Sequence, residues 1–113
     1  MTTEELNTIY SRWTGQLHAW VMTQLGRQID CEYNPQNYTF RLYSGRAIAR
    51  LIRPGQTVPA FVRPAGERTE VFQLPRPESN PSYADLGLAF RSLCLGAARI
   101  LQIDVSKRQL EDL

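Results

Sequence analysis

Lysine is almost missing from this sequence. Lys107 stands alone against twelve arginines in 113 residues, so the usual source of nonspecific affinity for phosphate is lacking. Histidine is rarer in proportion to its uses, because His18 is the only one. A structural zinc site wants four cysteine or histidine ligands. One histidine and two distant cysteines, Cys31 and Cys94, offer no such cluster. The expectation is therefore no metal and no cofactor, with both cysteines as reduced, buried thiols. Long apolar runs are absent too: none approaches the ~18 residues that span a membrane. The opening MTTEEL is acidic and polar, unlike the basic start of a secretory signal. A cytoplasmic protein with no membrane partner is the expectation.

The signatures of catalysis are equally scarce. There is no GxxxxGK[ST] and no GxGxxG, so no phosphate-cradling loop is visible. A Ser-His-Asp or Cys-His arrangement would have to use His18. That residue flanks the apolar stripe of a helix, far along the chain from Cys31, and reads as a helix-flank histidine with a local partner. The carboxylates are scattered, with Asp30 and Glu32 alternating on a possible strand and Glu67 and Glu70 about a turn. Paired catalytic carboxylates would need a convergence that this spacing does not indicate. The expectation is that the protein is not an enzyme. One partial motif exists: Arg46-x-x-x-Arg50 resembles the first half of the cyclic-dinucleotide signature of PilZ domains. The second half, (D/N)xSxxG on a downstream strand, fails. Asp104-Val105-Ser106 follows a helix, lies too far along, and has Gln109 where glycine belongs, so the match is rejected.

Acid is missing from one long stretch. Residues 33–66 hold Arg41, Arg46, Arg50, Arg53 and Arg63 and no Asp or Glu, a local charge of +5. Residues 1–32 carry two arginines against four acids, and residues 67–113 carry six bases against seven acids, so the flanks stand at −2 and −1. The net charge of +2 is thus concentrated in the middle third.

What is present is enough for a globular core. Hydrophobic residues make up 42% and charged residues 21%, ordinary values for one domain of this length. Residues 3–28 predict an amphipathic helix, with Leu6, Ile9, Tyr10, Trp13, Leu17, Trp20, Val21 and Leu25 in steps of three and four. Thr2 with Glu5 fits a capping box, and Gly26 a stop. A turn-rich NPQN follows at 34–37, then a β-meander over 30–74 built from TFRLY (39–43), a segment to Arg53, TVPAFVR (57–63) and TEVFQL (69–74). Residues 75–81 form a proline-rich linker. Asn80 and Pro81 are expected to open a second helix, 82–103, with Leu86, Phe90, Leu93, Ala97, Ile100 and Leu101 on its main stripe. Leu88 and Leu95 lie off that stripe, which with Arg99 suggests a homodimer interface. The tail 104–113 has bases first and acids last, against the helix dipole's preference, and is expected to be frayed or docked on a partner.

The segment 46–53 supports two readings. As a helix it gathers Arg46, Arg50 and Arg53 within about 60°, by the 100° step. As a strand turning at Ser44-Gly45, it would set Tyr43 opposite Arg46 and Arg41 opposite Ile48. Phe40, Leu42, Ala47, Ala49 and Leu51 then share one side, and Arg41, Tyr43, Arg46 and Arg50 the other. Agreement across both segments favours the strand, because a one-residue slip would destroy it.

Together these patterns predict an α+β domain, an antiparallel meander of three to five strands flanked by long N-terminal and C-terminal helices in the order α-β-β-β-β-α. With both helices on one sheet face, the arginines occupy the other. In layout this is similar to small secretion-chaperone-like domains. The expected function is a non-enzymatic binding protein: an adaptor, assembly factor, chaperone or inhibitor. It would engage a protein partner, preferably acidic, through Arg41, Tyr43, Arg46, Ile48, Arg50, Ile52 and Phe61, since arginine with aromatics is the composition of interface anchors. The alternative is a nucleic-acid binder using the same face for stacking and phosphate contact.

Overall fold

A computed structural model describes residues 1–44 and 68–111 of the chain. Helix α1, Thr3–Trp20, starts at the expected capping box: the Thr2 hydroxyl accepts from the Glu5 amide at 3.1 Å, and the Glu5 carboxylate accepts from the Thr2 amide. Leu6, Tyr10, Trp13, Leu17 and Trp20 form its buried stripe. The helix is not regular to residue 28. After Trp20 it widens into a single π turn, Val21–Leu25, and stops at Gly26, whose φ of 63° is left-handed. The Thr23 hydroxyl donates to the Ala19 carbonyl at 2.8 Å, a back-bond that competes with helix geometry at such turns.

Three strands follow, β1 (Asp30–Asn34), β2 (Thr39–Tyr43) and β3 (Thr69–Gln73), in one antiparallel sheet of order β1-β2-β3. The architecture is α+β, with helices at both ends of the chain and a sheet between them. Three strands, rather than four or five, stand among the described residues. Register sets Cys31 against Leu42, Tyr33 against Phe40, and Phe40 against Phe72. Side chains alternate across a sheet, so Cys31, Tyr33, Phe40, Leu42 and Phe72 share the inner face. Phe40 and Leu42 are fully buried there.

One expected pairing is overturned. β2 was to continue through a tight turn, with Tyr43 opposite Arg46 and Arg41 opposite Ile48. Instead β3 lies along that edge, with Tyr43 opposite Thr69 and Arg41 opposite Val71, and β1 occupies the other. A strand has two edges, and both are taken. The segment that was to pair, 46–53, lies outside the described residues, as does TVPAFVR.

After β3, Pro77–Ser79 forms a 3-10 turn closed by Asn80 at φ 48°. Asn80 therefore ends one element and does not cap the next. The cap of α2 (Tyr83–Leu101) is Ser82, whose hydroxyl accepts from the Asp85 amide while the Asp85 carboxylate accepts from the Ser82 amide at 2.9 Å. A reciprocal box satisfies two amides where Asn80 would satisfy one. Leu86, Leu93, Ala97, Ile100 and Leu101 are buried as the stripe predicts. α2 crosses the inner sheet face so closely that a Cβ on Gly96 would stand 2.3 Å from the Phe72 ring. Gln102, at φ 60°, ends the helix, and Ile103 donates back to the Ala98 carbonyl at 2.9 Å, a Schellman closure.

The tail, to residue 111, is docked on its own chain and is not frayed. Helix α3, Lys107–Glu111, is opened by Ser106 and Gln109, with the Gln109 side chain accepting from the Ser106 amide at 3.0 Å. The Gln109 amide group then donates to the Gln24 carbonyl at 2.7 Å, and the Trp20 indole donates to the Gln109 carbonyl at 3.2 Å. The residue that breaks the PilZ pattern thus joins the tail to the π turn.

Candidate functional site

The outer sheet face takes every second residue of each strand. β1 contributes Asp30, Glu32 and Asn34, β2 contributes Arg41 and Tyr43, and β3 contributes Thr69, Val71 and Gln73. Arg41 is exposed and stands in register with Glu32 on one side and Val71 on the other. Val71 is 51% exposed, a large apolar side chain in water. Tyr43 is half-buried beside them, and its hydroxyl donates to the Glu32 carboxylate at 3.3 Å. The face was expected to be basic. Over the described residues it mixes one arginine with two acids, because β1 lies beside β2 and brings Asp30 and Glu32 with it.

Of the residues singled out in the sequence, Arg41 and Tyr43 do share this face. Arg46, Ile48, Arg50, Ile52 and Phe61 lie outside the described residues. Leu88 and Leu95 are exposed on α2, and Arg99 forms an ion pair with Glu70 of β3. Glu32 and Val71 were missed as neighbours of Arg41. Their alternation within short strands was visible, but which strands lie side by side was not.

The sheet also brings together, among the described residues, a cysteine and the histidine that nucleophilic chemistry could use. His18 Nε2 lies 3.5 Å from Cys31 Sγ, and the Thr14 carbonyl is 3.8 Å from the same sulfur. The partner of His18 is therefore not local: β1 carries Cys31 across the last turns of α1. Burial, helped by the negative charge of Asp30, pushes the Cys31 thiol up to about 12. A nucleophilic cysteine needs the opposite, a lowered value and a thiolate at neutral pH. The pair is thus a sulfur–imidazole contact at the edge of the core. Among the described residues, no three His, Cys, Asp or Glu side chains are grouped to hold a metal, and no helix is long and apolar enough to cross a membrane.

A shallow apolar groove runs between the helices, about 290 Å³, with Ile9, Trp13, Tyr83 and Phe90 among its walls. Trp13 and Phe90 meet there with ring centroids 5.3 Å apart, so its floor is packed core. No protein-family model matches this chain, and no match was found among curated proteins or solved structures.

Proposed function

We propose that the chain is a non-enzymatic binding protein, of the adaptor, assembly-factor, chaperone or inhibitor kind, that grips a protein partner on the outer face of its sheet. The supporting observation is Arg41 exposed in register with exposed Val71, with Tyr43 beside them. An arginine fork, an aromatic ring and an apolar side chain are the anchors that protein interfaces use. Arg46, Ile48, Arg50, Ile52 and Phe61, which lie outside the described residues, are the further partner contacts in this reading, and the arginines among them give an acidic partner most to hold. Asp30 and Glu32 favour a protein over nucleic acid, because they set negative charge beside Arg41 where a phosphate backbone would run.

The test is capture of binding partners from the host's lysate with and without nuclease, repeated with Arg41→Glu and with Arg46→Glu/Arg50→Glu. A discrete protein that survives nuclease and is lost, by about thirtyfold or more in affinity, from both variants supports the reading. Retention by both variants refutes it. Recovery of nucleic acid that falls away steeply with salt turns the surface into a phosphate-binding one.

A further inference from the structure

α2 has a second side. Its core stripe faces the sheet and α1, yet Leu88 is 64% exposed and Leu95 is 40% exposed. Ala84, Leu88, Arg91, Leu95, Ala98 and Gln102 follow steps of four, three, four, three and four, and all but Ala98, which is buried within the chain's own fold, are exposed. That is the spacing of a helix–helix seam.

The charges beside the seam decide what fits it. Asp85, Ser92 and Arg99 stand seven residues apart on one flank, an acid, a small neutral residue and a base. Turned end for end about Ser92, the column is its own complement. A second α2 laid antiparallel puts Asp85 of each copy beside Arg99 of the other, and Leu88 against Leu95. A parallel copy would instead place the two columns on opposite sides of the seam, so that neither Asp85 nor Arg99 would meet an opposite charge. Antiparallel packing also sets each helix's positive end beside the other's negative end.

The receiving end is built in advance. Leu95, Arg99, Gln102 and Asp104 are among the walls of a groove of about 490 Å³ where α2 ends, so an acid borders it as well as a base. Glu70 holds the Arg99 guanidinium through Nε and Nη2, which fixes its plane and leaves the Nη1 donors for another carboxylate. Gln102, with its amide oxygen turned inward, accepts from Arg68 at 2.8 and 3.1 Å, so a second guanidinium borders the same place. Arg91 is the one residue this arrangement does not favour. It lies in the seam itself near the two-fold axis, close to its own mate.

We propose that a second copy of this chain covers α2 in an antiparallel, two-fold arrangement. Leu88 packs on Leu95, and Asp85 meets Arg99 at each end of the interface. Such an interface is isologous, with the same patch serving both copies.

The test is the mass of the purified chain by sedimentation at increasing concentration, together with site-specific cross-linking. The expected result is a dimer at about 100 µM, with dissociation in the micromolar range. Leu88→Glu and Leu95→Glu, both at exposed positions, give monomers with unchanged circular dichroism. Arg91→Ala tightens the dimer several-fold. Ser92→Cys is joined to its mate by a short bifunctional maleimide. Ala84→Cys is not, because fifteen residues of helix, about 22 Å, separate it from its mate. A monomer at that concentration overturns the proposal. So does a dimer that survives both glutamate variants, and so does cross-linking of Ala84→Cys, which would mean a parallel pair.

Discussion

Cys31 shows how one side chain can have the neighbours of a catalytic group and the properties of a core residue. His18 is within 3.5 Å, but the thiol is buried and protonated. Cys94, fully buried on the core side of α2, is likewise raised to about 12 by burial alone. Iodoacetamide at pH 8 is therefore expected to label both cysteines at least tenfold more slowly in the native protein than in urea. Rapid native labelling of Cys31 would mean that its sulfur is a thiolate and would reopen the catalytic reading. The sequence pointed to both cysteines as buried thiols, because they lie far apart and neither belongs to a CxxC or Cys/His cluster. It did not show the His18 contact, which exists only because β1 folds back across α1. Gly96 illustrates a second limit. It reads as one small residue among several on α2, while its use lies in the Phe72 ring of another element. Gly96→Ala is expected to cost about 1–2 kcal/mol net in urea unfolding, overpacking outweighing the gain in helix propensity. Phe72→Leu in the same chain should recover most of that loss.

At the scale of elements, local chemistry was legible wherever it repeats along the chain. The stripe of α1, its capping box, the stop at Gly26 and the span of β2 all follow from spacing alone. The π turn did not, since Val21 and Leu25 continue the three-and-four pattern into it. The cap of α2 was misplaced by two residues because Asn80-Pro81 and Ser82-x-x-Asp85 are both opening signals, and only the second is reciprocal. The docking of α3 depends on contacts 85 and 89 residues apart in the chain, which no window can see. Gln109→Ala removes the Ser106 cap and the donor to the Gln24 carbonyl together. The expected cost is about 1–2 kcal/mol, with amide exchange accelerated over 107–111 and in the π turn, and little changed in the strands. If exchange rises only in α3, the carbonyl contact to the π turn is not stabilising.

For the whole molecule, acidity links the core to solution conditions. Cys31 and Cys94 are held near 12, burial with the neighbouring Tyr38 raises Tyr33 to about 12, and Tyr10 is raised further by its burial. Each of these groups binds its proton more tightly folded than unfolded, where thiols ionise near 9.0 and phenols near 10.0. Their contribution is complete below about pH 8.5 and is lost as pH rises toward 12. The urea midpoint should hold level from pH 7 to 8.5 and then fall. Cys94→Ala is expected to delay that fall, although it lowers the plateau through the cavity it leaves. The class of fold was legible at this scale because the helical stripes at the two ends and the alternation of 39–43 and 69–74 occupy separate stretches of the chain. The outer face was not, because its charge depends on which strand lies beside which.

Ser44 and Arg68 join the two halves of the sheet: the Ser44 amide donates to the Arg68 carbonyl and the Arg68 amide to the Ser44 hydroxyl, both at 2.9 Å. The twenty-three residues 45–67 thus leave and rejoin the scaffold at one clasped point. Such a point is a graft junction. An Asn-Gly turn substituted for 45–67 is expected to close β2 onto β3 as an ordinary hairpin and keep the two helices in place. The excised cassette carries four of the five arginines of the acid-free stretch. Most of the acid-free stretch's positive charge is then separable from the fold, and its exchange between scaffolds is expected to leave the helices and the three strands unchanged.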